Sequence, residues 1–354
     1  MFRDVVTHSP LCEEEFSGDD FLEEDEEDLP RGRFQFNLRD LAEKSRQADA
    51  SDRYPNAKNL ALSGIAFHES RCGSTLVANS LIAMNPTKHR VYSESAPPIH
   101  ALGLCTEPGE PDDDEERPCT SEQGVKILQD VIYFMGRSDD PNEERFFFKI
   151  QSAGTKSLAT FRKAFPHTPW LFVYRDPVQV MMSHFAHGIK TANCLRALRN
   201  PPIILQSLAR KRGYRAAAAG GGRRVHHDDE RKDSELKELT PQEFCAAHLA
   251  TLTETAAYHI EKSNGLGRAV NYNKLPAILY EEILPAWGID VTEEEIQNIQ
   301  EISGHYSKGR GKQAKEWKDD TKKKEEMATP EIQDASRVFL QSSFDRLEEL
   351  AKAA

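Results

Sequence analysis

The chain has 354 residues, of which 38% are hydrophobic and 29% charged, and its formal net charge is −12. This composition predicts a folded protein with a sizeable core. It excludes a membrane span, which needs about twenty apolar residues, and nucleic acid as a partner, because no basic stripe with interleaved aromatic residues is present. Residues 13–28 hold eleven acidic residues and no basic one, and without them the net charge falls to about −1. We therefore predict a disordered acidic tail at 1–32 and a folded domain at 33–352.

The six cysteines are scattered and form neither a CxxC pair nor a His/Cys cluster with zinc spacing. The N-terminus has no apolar segment of signal-peptide length. We therefore predict free thiols, a reducing compartment and a cytoplasmic location.

Strands and helices alternate from residue 59 to residue 187. Buried apolar segments predict strands within 59–69, 145–150 and 169–176. Helical spacing predicts helices over 73–84, 124–137, 154–165 and 176–187, and residues 105–120 are predicted to be a polar surface excursion. This alternation predicts a three-layer α/β/α fold with a central parallel sheet, whose ligands lie at the carboxyl ends of the strands.

The second half of the chain begins with an interruption. Residues at about 210–235 are low in complexity, which predicts a flexible insertion. Thr240 and Gly265 are typical of the start and the stop of one long helix. The remaining predictions are a strand at 268–276, helices at 292–306 and 330–352, and a basic loop at 307–324.

The segment SRCGSTL, residues 70–76, is predicted to be a tight turn between the first strand and its helix. It lacks the lysine of the GxxxxGK[ST] loop of nucleotide hydrolases. Backbone N–H groups at such a helix start still bind an anion. The candidate binding residues are Ser70, Arg71, Cys72, Gly73, Ser74 and Thr75. Arg71 adds a fork of donors suited to phosphate or sulfate oxygens. We therefore predict a P-loop-type fold that holds a nucleotide anion without an obligatory metal.

Cys72 has two readings within this turn. It is either a reactive thiol at a helix N-terminus or a small residue that faces the strands.

A second polar motif, YRDPVQVMMSH, occupies residues 174–184. Arg175 lies at a strand end, and Ser183 follows two helical turns later, so both can face one point above the sheet edge. They are predicted to give a second phosphate a charge and a hydroxyl donor. Lys149 ends the buried strand RFFFKI, where a lysine is unusual and indicates a function.

Together the two motifs resemble the 5′-phosphosulfate loop and the 3′-phosphate motif of the sulfotransferases. The resemblance covers residues 60–185 well and 268–320 loosely. It implies the donor 3′-phosphoadenosine 5′-phosphosulfate (PAPS), no metal, and a hydroxyl acceptor that is a small molecule, a carbohydrate or a protein tyrosine. Tyr272, with the basic-loop residues Ser307, Lys308 and Lys312, looks like the family's wall around the adenine and the 3′-phosphate.

The resemblance also points to a branch of the family. The cytosolic small-molecule enzymes carry a lysine and a catalytic histidine in a K-x-H stretch. The matching residues here are Lys149, Ile150 and Gln151, so glutamine stands in place of the histidine. The segment HRVYSESAPPIHAL is similar to that of the tyrosylprotein and carbohydrate branch, with Glu94 at the place of the glutamate base. We therefore expect Glu94 to take the acceptor's proton, with His100 as a second candidate base. Lys149 and Arg71 are expected to stabilise the leaving oxygen. Enzymes of this branch usually sit in the Golgi behind a membrane anchor, a location that applies here if the N-terminus is incomplete.

Two alternative functions stay open. A P-loop-related kinase or hydrolase would bind a nucleoside triphosphate with metal, although the sequence shows neither the loop lysine nor a Walker B acid. A non-catalytic interaction module would keep the fold and use the acidic tail, but it would not need two anion cradles. The sequence indicates neither the acceptor nor the oligomeric state.

Overall fold

A computed structural model of the chain describes residues 36–51, 54, 56–104, 121–199, 203–215, 237–304, 324 and 326–353. The strands within these ranges are β1 Lys58–Asn59, β2 Leu62–His68, β3 His89–Ser93, β4 Arg137–Ser138, β5 Arg145–Lys149, β6 Trp170–Tyr174, β7 Tyr214–Arg215, β8 Lys237–Glu238 and β9 Gly267–Asn271. Five of them form a sheet in the order β3-β5-β2-β6-β9. Every neighbouring pair in this sheet is parallel. The predicted central parallel sheet is therefore confirmed.

Most helices lie on the two faces of this sheet. In chain order they are α1 Leu38–Asp49, α2 Ser74–Met84, α3 Ala96–Leu104, α4 Ser121–Gly136, α5 Leu158–Ala164, α6 Pro177–Phe185, α7 Ile203–Lys211, α8 Pro241–Glu261, α9 Leu284–Ala286, α10 Glu293–Ser303, α11 Pro330–Phe339 and α12 Gln341–Lys352. Short 3₁₀ turns lie at Ser152–Ser157, Ile189–Thr191, Asn193–Arg199 and Tyr272–Lys274, and a π-helical turn spans Leu279–Ile283.

The side chains of one strand alternate between two hydrophobic clusters. On β6, Leu171 and Val173 pack with α2, α6 and α10, whereas Trp170, Phe172 and Tyr174 pack with α4 and α5 on the opposite face. All five side chains are buried. A sheet covered on both faces by helices is the three-layer arrangement that continuous apolar strands predict, and this expectation is confirmed.

The order of the strands fixes where a ligand site can form. After β2 the chain turns through α2 to β3 on one side of the sheet, and after β6 it proceeds to β9 on the other side. β2 and β6 are neighbours in the sheet. The connections that leave their carboxyl ends therefore run to opposite sides of the sheet and leave a crevice between them. Crevices at such points bind ligands in open α/β sheets. The turn after β2 and the motif after β6 both begin there.

Two helix boundaries differ from the sequence-based expectation. The helix predicted over 330–352 is two helices, α11 and α12, which meet at Leu340. Leu340, at the junction, has a φ angle of −106°, and Arg212 Nη1 donates a hydrogen bond of 2.5 Å to the nearby carbonyl oxygen of Val338. The helix predicted over 154–165 begins as the 3₁₀ turn Ser152–Ser157 and becomes α-helical only in α5.

The cysteine prediction is wrong for one pair. Cys194 and Cys245 form a disulfide, because the fold packs the 3₁₀ turn that carries Cys194 against α8, 51 residues further along the chain. Cys72 is buried and keeps a free thiol, as predicted. Cys12, Cys105 and Cys119 lie outside the described residues.

Several predicted features also lie outside the described residues. These are the acidic tail at 1–32, the excursion at 105–120, most of the insertion at 210–235, and the basic loop at 307–324 apart from Lys324. The ends of the insertion are described, since β7 pairs in parallel with β8 and so brings residues 214 and 237 together. Among the helices that the structure describes, none has the length and apolar character required to cross a bilayer.

Candidate functional site

The turn after β2 has an unusual backbone. Ser70, Arg71 and Gly73 all have positive φ angles, of 78°, 58° and 83°. The left-handed region costs a non-glycine residue about 1 kcal/mol, so neighbouring interactions must hold Ser70 and Arg71 in place. Gly73 caps α2, and within the described structure no side chain accepts a hydrogen bond at this cap. The turn therefore presents backbone N–H groups at the start of α2, as an anion cradle requires.

Gly73 is needed for space as well as for its φ angle. A Cβ atom at this position would lie 2.2 Å from Cε2 of Tyr272. Tyr272 directly follows β9, so its ring is carried across the sheet edge onto the turn. The Arg175 guanidinium also packs on this ring, with its Cζ atom 4.5 Å from the ring centroid. Tyr272 thus contacts both sequence motifs, as a stacking and cation–π surface.

The two predicted anion cradles touch each other. Arg71, in the turn after β2, donates a hydrogen bond from Nε to Ser183 Oγ on α6 at 3.1 Å. Arg175, after β6, is only 7% exposed and donates from Nε to Gln179 Oε1 at 2.7 Å. The sequence predicts Arg71 and Ser183 for two different phosphates, and the structure brings these two side chains into contact.

Glu69 lies beneath this cluster and was not predicted. Its Oε1 atom accepts a hydrogen bond of 2.7 Å from the backbone N–H of Arg175, which joins the end of β2 to the end of β6. The side chain is buried, and this burial raises the pKa of the Glu69 carboxyl well above its usual range. The sequence signal that could have indicated Glu69 is an acidic residue directly after an apolar strand, in the segment FHES.

The side chain of Cys72 points into the strand layer and not into the crevice. The Cys72 thiol is buried and donates to the carbonyl oxygen of Val173 at 3.2 Å. Burial raises the pKa of this thiol to about 12. Cys72 is therefore the strand-facing residue of the two readings, and only its backbone can take part in an anion cradle. Ser74 is also buried, whereas Thr75, in the first turn of α2, is partly exposed.

A second polar cluster lies on the other side of β2. Lys149 ends β5, its side chain is 1% exposed, and its Nζ atom forms an ion pair with Glu94 Oε1. The register of β3 and β5 aligns Ser93 with Lys149, which places Glu94 beside the lysine. The backbone N–H of Glu94 donates to Lys149 O at 2.7 Å, and Gln151 Nε2 donates to Glu94 O at 3.0 Å.

These contacts hold Glu94 in a strained conformation. Its φ angle is 57°, in the left-handed region that an acidic residue rarely adopts. Its carboxylate is 49% exposed and therefore reachable by a molecule in the crevice. His100, the second candidate base, is exposed on α3.

His68 connects the two clusters and was missed in the sequence. Its Nδ1 atom accepts a hydrogen bond of 3.0 Å from the backbone N–H of Ser70, and its Nε2 atom donates to Ile150 O at 3.0 Å. Because an N–H only donates and a carbonyl only accepts, the ring must be the neutral Nε2–H tautomer. His68 Nε2 is 3.7 Å from Glu94 Oε1, and with a neutral ring this approach is a polar contact rather than an ion pair.

The predicted site residues thus form two groups at the carboxyl edge of the sheet. Arg71, Gly73, Arg175, Ser183 and Tyr272 form the first, and Lys149 with Glu94 forms the second. Ser307, Lys308 and Lys312 lie outside the described residues. An edge with three basic side chains, a carboxylate and a glycine turn can bind a doubly charged anion and hold a hydroxyl beside that carboxylate.

The solved structures to which the chain is similar include three bacterial sulfotransferases. The sulfotransferase from Alicyclobacillus acidocaldarius is 13% identical, with a TM-score of 0.39, over 82% of this chain and 96% of that chain. STF9 from Mycobacterium avium is 12% identical, with a TM-score of 0.38, over 73% and 71% of the two chains. STF1 from Mycobacterium tuberculosis is 11% identical, with a TM-score of 0.37, over 74% and 75%. No model of a protein family matches the chain, and no curated protein is significantly similar to it.

Proposed function

We propose that the chain is a sulfotransferase that moves the sulfuryl group of PAPS to a hydroxyl of its acceptor. The observation that carries this proposal is the hydrogen bond between Arg71 and Ser183. It joins an N–H-rich turn and a separate basic motif at the crevice between β2 and β6. A nucleotide with phosphates at both its 5′ and its 3′ positions requires two such cradles side by side.

The residues at the crevice fit this donor. The turn at 70–75 would hold the 5′-phosphosulfate through backbone N–H groups and the Arg71 guanidinium. Arg175 and Ser183 would hold the 3′-phosphate, and the ring of Tyr272 would line the nucleotide site. Gly73 supports the fit, because any larger residue would displace that ring. The proposed basic wall of Ser307, Lys308 and Lys312 would close the site.

When bound, PAPS supplies an activated sulfuryl group. In the proposed mechanism Glu94 accepts the proton of the acceptor hydroxyl, so that the oxygen becomes a nucleophile. Lys149 orients Glu94 through their ion pair, and its buried ammonium stabilises negative charge that grows on the leaving oxygen. His68 orients Ser70 and lies against Glu94, so it couples the position of the base to that of the turn.

A donor comparison tests the proposal. The purified chain is incubated with radiolabelled PAPS and a pool of hydroxyl acceptors, which contains phenols, tyrosine peptides and neutral and charged glycans. Parallel reactions contain ATP labelled on its γ-phosphate, with Mg²⁺. We expect label from PAPS to enter one class of acceptor in the presence of a chelator, and Lys149→Met to abolish this transfer.

The other outcomes distinguish the alternatives. Transfer or hydrolysis that requires ATP with Mg²⁺ would favour the kinase or hydrolase and contradict the sulfotransferase. A chain that neither binds nor turns over PAPS or ATP would fit an interaction module that keeps only the fold.

A further inference from the structure

Away from the crevice, three potential metal ligands meet in the core. His184 is near the end of α6, Cys194 lies in the 3₁₀ turn that follows, and Cys245 lies in the second turn of α8. All three residues are buried, and their ligand atoms lie within 4.8 Å of one another. The two sulfurs are joined as a disulfide in the structure.

We propose that reduction of this disulfide creates a zinc site formed by His184, Cys194 and Cys245. Two thiolates and an imidazole are a ligand set that Zn²⁺ prefers over harder cations such as Mg²⁺ and Ca²⁺. The backbone already holds the three ligands together from separate elements, so binding requires little rearrangement of the fold. The disulfide and the zinc complex exclude each other, because each uses both sulfurs.

The proposed exchange balances chemically. A thiol reductant gives two electrons to the disulfide and becomes a disulfide itself, and Cys194 and Cys245 each gain a proton. Zn²⁺ then displaces these two protons as the thiolates bind. Oxidation by a disulfide of low-molecular-weight thiols reverses the exchange and releases the metal.

His248 adds a second imidazole that interacts electrostatically with His184, but its nitrogens lie outside the group of ligand atoms that are within 4.8 Å of one another. It follows Cys245 by three positions on α8, so the two side chains share one face of that helix. Its Nδ1 atom is buried, and among the described residues no group forms a hydrogen bond with it. A buried imidazole nitrogen without a partner costs free energy, and a metal ion would remove that cost. With the His248 side chain turned toward the metal, four ligands would complete the tetrahedral arrangement of a structural zinc site.

The location ties the proposed zinc site to α6. His184 directly follows Ser183, the residue that accepts the hydrogen bond from Arg71. A metal ion bound to His184 would attach the C-terminal end of α6, the helix that carries Ser183, to α8. The cluster cannot be recognised from sequence spacing, because 10 positions separate His184 from Cys194 and 51 separate Cys194 from Cys245. Only Cys245 and His248, three positions apart, are close in the sequence.

The test is a cobalt titration, since tetrahedral Co²⁺ with thiolate ligands absorbs far more strongly than Co²⁺ in water. The full chain carries Cys12→Ser, Cys105→Ser and Cys119→Ser to remove background thiols. One half is reduced with a phosphine under argon, and the other half stays oxidised. We expect one Co²⁺ per reduced chain, with a thiolate charge-transfer band, displacement by one equivalent of Zn²⁺, and no such band in the oxidised chain.

Variants assign the ligands. Cys194→Ser should lose the charge-transfer band or show it much weakened, and His184→Ala should lose the tetrahedral spectrum. Cys72→Ser, at the other described cysteine, should keep both. The proposal is overturned if the reduced chain binds no more metal than the oxidised chain, or if the chain with both Cys194→Ser and Cys245→Ser keeps stoichiometric binding. The comparison of reduced with oxidised chain decides the question even if a variant does not fold.

Discussion

Arg71 and Ser183 are 112 residues apart in the chain and are joined by a hydrogen bond of 3.1 Å from Nε to Oγ. The contact crosses the crevice between the ends of β2 and β6. Around it, Arg175 stacks on Tyr272, and Tyr272 packs on Gly73. One connected group of side chains therefore unites both sequence motifs, and changes at its members should affect nucleotide binding together.

Gly73→Ala should both destabilise the fold and weaken binding of 3′-phosphoadenosine 5′-phosphate (PAP). Its φ angle is 83°, and the new Cβ atom would overlap the Tyr272 ring. Gly265→Ala is the matched control, since its φ angle is 84° and nothing lies within 4 Å of a Cβ atom there. We expect the control to cost about 1 kcal/mol of unfolding free energy, from the backbone alone. Thermal unfolding and calorimetry measure the two effects, and equal losses in both variants would refute the role assigned to the Tyr272 contact.

Glu94→Gln should slow sulfuryl transfer and leave nucleotide affinity unchanged. The amide keeps the shape of the carboxylate but cannot take the acceptor's proton, so kcat should fall by about 10²- to 10⁴-fold. Glu144→Gln is a control of similar exposure, since Glu144 is 52% exposed and pairs with Lys88 at 2.8 Å. The rate is measured with labelled PAPS and the acceptor class that takes up the label. A rate within about threefold of the unmodified chain would remove Glu94 as the base.

The pH dependence of the thermal stability of Glu69→Gln tests whether the buried Glu69 carboxyl has a raised pKa. Burial raises the pKa of Glu69 in the folded chain, so the folded state holds this proton to higher pH than the unfolded state. The resulting stabilisation is fully present below the unfolded pKa, about 4.3, and is lost as the pH rises through the raised folded value. Glutamine does not titrate and can still accept from the Arg175 N–H. The variant should therefore gain thermal stability relative to the unmodified chain as the pH rises.

The pH experiment has a built-in comparison. The melting temperatures of Glu69→Gln and the unmodified chain should be similar near pH 4 and should separate above it. Glu301→Gln, at an exposed position on α10, should show no such separation. An advantage of Glu69→Gln that stays constant with pH would contradict the assignment.

Reduction of the disulfide should lower thermal stability in the presence of a chelator. Cross-linking residues 51 positions apart restricts the unfolded chain, and the loop-entropy relation gives about 4 kcal/mol for this length. Calorimetric or denaturant unfolding of oxidised and reduced chain measures the difference. The chain with both Cys194→Ser and Cys245→Ser should be insensitive to reductant. Zinc should restore part of the lost stability to the reduced chain, and an unchanged melting temperature on reduction would contradict the structural role of the bond.

The central sheet could be predicted because three of its strands are buried on both faces and read as continuous apolar segments. The capped helices were also predictable, since Thr240 with Glu243 and Thr292 with Glu295 form capping boxes in the structure. Strand β3 was not predicted, because this edge strand, HRVYS, is partly exposed and lacks an apolar run. A local sequence pattern predicts a strand well when both of its faces are buried, and poorly when the strand lies at the edge of a sheet.

The site was predictable where a motif is local and was missed where contacts are made through space. Arg71, Arg175 and Ser183 lie within short motifs, but nothing in those motifs indicates that Arg71 and Ser183 touch. Glu69 and His68 precede the turn and belong to no local motif, because their roles depend on contacts with neighbouring strands. The pairing of Cys194 with Cys245 has the same origin, since sequence spacing does not report tertiary packing.

The most direct measurement is a calorimetric comparison of PAP with adenosine 5′-phosphate, which lacks the 3′-phosphate. Both are titrated into the unmodified chain and into Arg71→Ala and Arg175→Ala, with a chelator present. The account predicts that PAP binds more tightly than adenosine 5′-phosphate, that Arg175→Ala removes this preference, and that Arg71→Ala weakens both ligands. Equal affinity for the two nucleotides in the unmodified chain, or a preference that survives Arg175→Ala, would contradict the two-cradle site.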